Sequence, residues 1–131
     1  MTKSVLPFLM FEGQAEAAMR FWAAVFPEGE ILELERFGDG QPGAETKVRR
    51  GLFRLNDQTV IVFDSPVQHA FGLTPSFSFF VECDSEAEIE RLNAAIGEDR
   101  QAFMPLGDYG FSRRFCWIAD PFGVTWQLNL A

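Results

Sequence analysis

Apolar and polar positions follow two different periods along this chain, and the switches between them mark its elements. Residues 5–11 (V-L-P-F-L-M-F) are a continuous apolar run closed by Glu12-Gly13, the pattern of a strand buried on both faces. From Gln14 to Phe26 the residues Ala15, Ala18, Met19, Trp22 and Val25 recur every three or four positions, which predicts an amphipathic helix ended by Pro27 and Gly29. Residues 30–37 (E-I-L-E-L-E-R-F) alternate charged and apolar side chains, as a half-exposed strand does. A glycine-rich loop is expected over 38–45, and then a hairpin with strands over 46–55 and 59–64 about Asn56-Asp57-Gln58. Residues 65–74 keep no period and read as a linker.

The same order then begins again. A strand is expected over 75–83, a helix over 85–96 opened by Asp84 or Ser85, a strand over 100–105 and a turn at 107–110. Two aromatic-rich runs follow, separated by Asp120-Pro121-Phe122-Gly123, and these form a closing hairpin across residues 111–130. Sliding the chain 71 residues along itself lays Arg20 on Arg91, Ala23 on Ala94, Ala24 on Ala95, Val25 on Ile96 and Phe8 on Phe79. Two amphipathic helices could match by chance, but a doubled order of elements is harder to obtain that way. The expected fold class is therefore α+β: two βαβββ modules in one domain, about 1–66 and 74–131, each a curved sheet with its helix packed behind.

Composition narrows the function. A chain of 131 residues with 47% hydrophobic side chains can bury a core without disulfide or metal staples. Its 15 phenylalanines suggest a core or cavity walled by rings. The net charge is -8, and basic residues cluster no further than the pairs Arg49-Arg50 and Arg113-Arg114, so nucleic acid and anionic membranes are poor partners. Cys83 and Cys116 lack metal-site spacing and are expected to be reduced structural thiols. The apolar run at 5–11 is too short for a secretion signal or a membrane span, and a cytoplasmic location is expected.

Few residues offer chemistry. His69, the only histidine, lies in the linker beside Phe71, where it could accept a proton over a cavity mouth or simply pack at the surface. Asp64 could act as a general base in a dry cavity, or cap the Ser65-Pro66 turn. Arg113 and Arg114 point to opposite sides of a strand, so one of them, with Arg114 the candidate, could fix an anionic group of a ligand. Ser78, Tyr109, Ser112 and Gln127, together with Phe71, complete a set of ligand-binding candidates. The acids Glu86, Glu88 and Glu90 read as a solvated helix face.

The doubled module, with P-F-L-M-F-E-G-Q-A-E-A-A-M-R-F-W, Q-H-A-F, F-F-V-E-C-D-S-E-A-E-I-E-R-L, M-P-L-G-D-Y-G-F-S and W-I-A-D-P-F-G-V-T-W-Q-L, resembles the PhnB-like branch of the vicinal oxygen chelate superfamily. That superfamily includes glyoxalase I, bleomycin-resistance proteins and extradiol dioxygenases. The resemblance implies sheets enclosing a concave cavity, helices outside, and a homodimer. Branch members often carry a demethylubiquinone methyltransferase label, yet this sequence has no glycine-rich strand-to-helix turn for a nucleoside cofactor. The superfamily's metal ligands, carried over, fall at Pro7, near Val62 (with Asp64 two residues on), at Ser78 and at Gln127. Carbon side chains, a hydroxyl and a neutral amide make a poor cage for a divalent ion. The expectation is a protein that binds a small molecule without metal or cofactor. Metal-dependent lyase, isomerase or dioxygenase activity, or a non-catalytic interaction domain, are the alternatives.

Overall fold

A computed structural model describes residues 1–38, 40, 46–97 and 101–131. Most of the expected loop over 38–45, and Arg100 at the start of an expected strand, lie outside the described residues. The elements are β1 (Phe8–Phe11), α1 (Ala15–Val25), β2 (Gly29–Arg36), β3 (Val48–Leu55), β4 (Gln58–Asp64), β5 (Ser78–Glu82), α2 (Glu86–Gly97), β6 (Ala102–Gly107), β7 (Arg114–Ala119) and β8 (Thr125–Leu130). They build two similar mixed sheets, ordered β1-β4-β3-β2 and β5-β8-β7-β6. In each, the first strand lies parallel to the last and the other pairings are antiparallel. The fold class is thus α+β with two βαβββ modules. The chain divides into two compact units, 1–72 and 73–131.

In the first unit α1 buries Ala15, Ala18, Met19, Trp22 and Val25, the stripe read from the sequence. Trp22 meets Phe53 edge-on at 5.4 Å and Phe11 at 6.3 Å. Gly51 on β3 lets the helix approach: a Cβ there would lie 2.8 Å from Met19 Cε and 2.7 Å from Val62 Cγ2. Met19 and Val62 therefore mark the helix side of this sheet. In the second unit α2 buries Ile89, Leu92 and Ile96, and Ile118 lies against Gly97.

The two helices begin differently. Gln14, the N-cap of α1, makes no side-chain capping bond, and the carboxylate of Asp64 at the end of β4 takes over. Its Oδ1 accepts from Gly13 N (2.8 Å) and Ala15 N (3.0 Å), and its Oδ2 accepts from Val48 N (2.8 Å). For α2 the cap is local: Ser85 Oγ accepts from Glu88 N at 3.1 Å, and Glu88 reaches back to Asp84 N at 2.7 Å.

Two readings of the sequence need correction. The run at 5–11 is not buried on both faces: pairing begins at Phe8, which is 56% exposed, while Leu9 and Phe11 are buried. The alignment of the two first strands also shifts by one residue. Phe8 lies on the face turned away from α1, whereas Phe79, its mate in the 71-residue slide, packs on Trp126 at 4.7 Å on the α2 side. Matching Phe8 to Ser78 restores the face, because a one-residue slip in a strand inverts every side chain.

Candidate functional site

Residues paired across neighbouring strands share a face. In the second sheet, Trp126, Leu128, Cys116 and Ile118 take the α2 side. The opposite, open face then carries Ser78, Phe80 and Glu82 from β5, Thr125, Gln127 and Asn129 from β8, and Phe115 and Trp117 from β7. Gln127 sits among Trp126, Leu128 and Leu130 in the sequence, and the alternation leaves this side of β8 entirely polar. Gln127 Nε2 donates to Ser78 Oγ at 2.8 Å, across 49 residues of chain. Beside them Trp117 Nε1 donates to Thr125 Oγ1 (3.2 Å), which donates to Phe77 O (2.6 Å). Asn129 Nδ2 donates to Glu82 Oε1 at 2.7 Å.

Rings wall this polar strip. Trp117 lies 5.0 Å from Phe103, and Phe115 gathers Phe111 at 5.0 Å, Tyr109 at 6.1 Å and Phe80 at 6.4 Å. Such a surface, apolar in area with a few placed polar groups, is what a small organic ligand needs.

The structure brings Ser78 and Gln127 together, and the loop after β6 sets the Tyr109 ring 6.1 Å from Phe115 of the same face. The Tyr109 hydroxyl donates to Pro105 O, so the residue offers its ring. Ser112 is half-buried in the bend before β7. Arg114 takes the other side: it pairs with Glu90 of α2 at 2.5 Å, which places it on the helix face and away from the strip. Arg113 donates to Ala131 O at 2.7 Å. Neither arginine stands with Ser78 and Gln127.

Asp64, His69 and Phe71 belong to the first unit. The Asp64 carboxylate is buried on the α1 side with three backbone donors, and it caps the helix rather than the Ser65-Pro66 turn. His69 Nε2 lies 2.9 Å from Ser65 Oγ, whose own proton goes to Val67 O at 2.8 Å. Phe71 stacks on the His69 ring at 5.0 Å. Sequence reasoning missed Asn129, which the alternation of β8 could have placed beside Gln127, and Glu82, Phe80 and Phe115, because only the register between strands shows that they share a face with Gln127.

The same register tests the superfamily's metal site. With Phe8 matched to Ser78, the first-unit counterpart of Gln127 is Phe63, since Met10 pairs with Phe63 as Phe80 pairs with Gln127. Phe8 and Phe63 touch at 5.6 Å, a ring contact where the second unit has a hydrogen bond. Val62 and Asp64 are on the helix side. Two phenyl rings, a hydroxyl and an amide do not fit a divalent ion. Among the described residues no three His, Cys, Asp or Glu gather as a ligand set.

Both cysteines are free and buried on the α2 side of β5–β8. Burial pushes the Cys83 thiol up from its ordinary 9.0 to about 12, with the Glu88 carboxylate adding to the shift, and pushes Cys116 up to about 11. A raised folded value favours the protonated thiol. This contribution to stability is complete below about pH 9 and is lost as pH rises through 11 and 12. We expect a thiol reagent such as DTNB to label the folded protein only slowly at pH 8, and both thiols rapidly in urea. Fast labelling of the folded protein would contradict the burial.

Comparison with known proteins agrees with this architecture. The family described as 3-demethylubiquinone-9 3-methyltransferase matches residues 3–129. A PhnB protein from Bacillus cereus is 42% identical, with a TM-score of 0.91, covering 98% of this chain and 100% of that one. Protein PA1353 from Pseudomonas aeruginosa is 26% identical, with a TM-score of 0.83 and 98% coverage of both chains. Lactoylglutathione lyase from Agrobacterium tumefaciens shares the fold at 18% identity and a TM-score of 0.56, covering 100% of this chain and 96% of its own. No curated protein matches. The chain therefore belongs to the family described as 3-demethylubiquinone-9 3-methyltransferase, the PhnB-like branch of the vicinal oxygen chelate superfamily.

Proposed function

We propose that this protein binds a small, partly aromatic molecule on the open face of the β5–β8 sheet, and does so without the superfamily's metal. The Ser78–Gln127 hydrogen bond carries this reading: two neutral polar groups are half-buried among rings, at positions where metal-using members commonly place His, Glu or Gln. Neutral donors and acceptors orient a ligand without the dehydration that a divalent ion requires. Ligand binding is tested by thermal shift against a panel of small aromatic and amphipathic compounds. At least one should raise the melting temperature, and Ser78→Trp, which places a ring across the strip, should abolish that rise. A panel that leaves the melting temperature unmoved throughout would sink the proposal. Protein purified without chelators should contain no divalent metal near one per chain; near-stoichiometric Ni, Zn, Mn or Fe would overturn the metal-free part.

The methyltransferase description belongs to the family. For this chain no glycine-rich cofactor turn supports it, and measurable S-adenosylmethionine binding would restore it. Homodimer formation fits β1 and β5, which are end strands of their sheets with no charged residue before Glu82. Light scattering that gives a monomer mass at high concentration would exclude it. Among the described residues no helix is long and apolar enough to cross a membrane.

A further inference from the structure

We propose that the aromatic end of the open face, formed by Phe80, Tyr109, Phe111 and Phe115 beside Asn129, takes a planar ring bearing an N–H donor, with a cationic ring preferred. This inference rests on the ligand-binding reading above and gives it a chemistry. The first observation is an unpartnered acceptor. Asn129 is 7% exposed, and its Oδ1 is a buried side-chain oxygen with no hydrogen-bond partner, alone in that respect among the described residues. Its orientation is set by chemistry, because the Glu82 carboxylate can only accept and so requires the amide nitrogen on its side. The oxygen cannot escape its position by exchanging places with the nitrogen. A buried carbonyl left without a donor is costly, and in native proteins such groups call for a reason.

The second observation is the exposed aromatic surface beside that oxygen. Asn129 pairs in register with Phe115, and Phe115 is the ring around which Phe80, Tyr109 and Phe111 gather. Phe80 and Phe111 are 55% and 62% exposed, and Tyr109 40%, which is an unusual amount of ring to leave in water at one spot. Aromatic faces accept a flat ring by stacking and a cation by its charge. Glu82, paired in register with Asn129 on the same face, adds a negative charge that favours a positively charged donor.

Asn129 Oδ1 is closed to solvent, so a ligand reaches it only when the side chains over it shift. A ring that enters there would stack on the exposed phenyl groups, present its N–H to Oδ1, and bring its charge toward Glu82.

The experiment is a ¹H–¹⁵N NMR titration of the full chain with benzamidine, a planar cation with N–H donors, and benzoate, a planar anion without them. Benzamidine should move the Asn129 side-chain amide signals and the backbone signals of 109–111 and 115, and benzoate should bind far more weakly. Asn129→Leu should weaken benzamidine binding about tenfold, the value of one hydrogen bond to a charged donor. Phe111→Ala, which removes an exposed ring and leaves the core intact, should weaken it severalfold with the spectrum otherwise unchanged. Equal binding of the two probes, or unchanged affinity in both variants, overturns the inference. Shifts confined to Ser78 and Gln127 also overturn it while supporting ligand binding on the face. No shift on the face with either probe overturns it as well, and the compound panel decides the wider reading independently.

Discussion

Replacing Asp64 by alanine lowers the stability of the protein by about 3–5 kcal/mol, measured as a fall in the urea midpoint at unchanged slope. The size follows from what the carboxylate does. It is fully buried and satisfies three backbone N–H groups: Gly13 and Ala15 at the start of α1, and Val48 at the start of β3. Each donor left unpaired in a buried setting costs about 1–3 kcal/mol, and Gln14 offers no replacement cap. Asp64→Asn keeps the volume but turns an NH₂ group toward one of these donors, so it should lose about half as much. An unchanged midpoint in Asp64→Asn would mean that the carboxylate is not committed to the backbone, and would return Asp64 to consideration as a proton acceptor.

Asp120→Ala is expected to cost about 2–4 kcal/mol, through the hairpin that carries Gln127 and Asn129. Asp120 Oδ1 accepts from Phe122 N (2.8 Å) and Val124 N (3.1 Å), and its Oδ2 accepts from the indole of Trp126 at 3.0 Å. These bonds fix the turn at 120–123, where Gly123 takes a φ of 89°, and anchor the first residues of β8. Losing them should loosen the register of β7 on β8, so ligand-induced thermal shifts should shrink along with stability. Tryptophan fluorescence should report the exposure of Trp126 in the same titration. If stability falls while the ligand-induced shift stays whole, the turn does not position the open face.

Arg114 illustrates how a sequence-level candidate is redirected by packing. Arg113 lies in the bend before β7, and the side that Arg114 takes is the one covered by α2, where Glu90 meets it. The acids of that helix face read as solvated, and one of them turns out to hold the arginine. Gln127 and Ser78 fared differently, because the parallel pairing of β5 with β8 brings their side chains to one face at hydrogen-bonding distance.

The sequence by itself determined the order of the elements, the repeat, the buried stripe of α1 and the turn at Asp120-Pro121-Phe122-Gly123. These are set by residues within a few positions of one another, through helical period, turn chemistry and the doubled pattern. Tertiary structure alone decided which residues of different strands share a face. A run such as F-L-M-F is apolar on both sides, so its local pattern leaves the register open, and the alternation of T-W-Q-L-N-L separates its two sides without naming their partners on other strands. Pairing with distant strands settles it. It turns Phe8 away from α1, gives Asp64 to the backbone of a helix 49 residues earlier, and sets Asn129 and Glu82 beside the aromatic cluster that no local period could reveal.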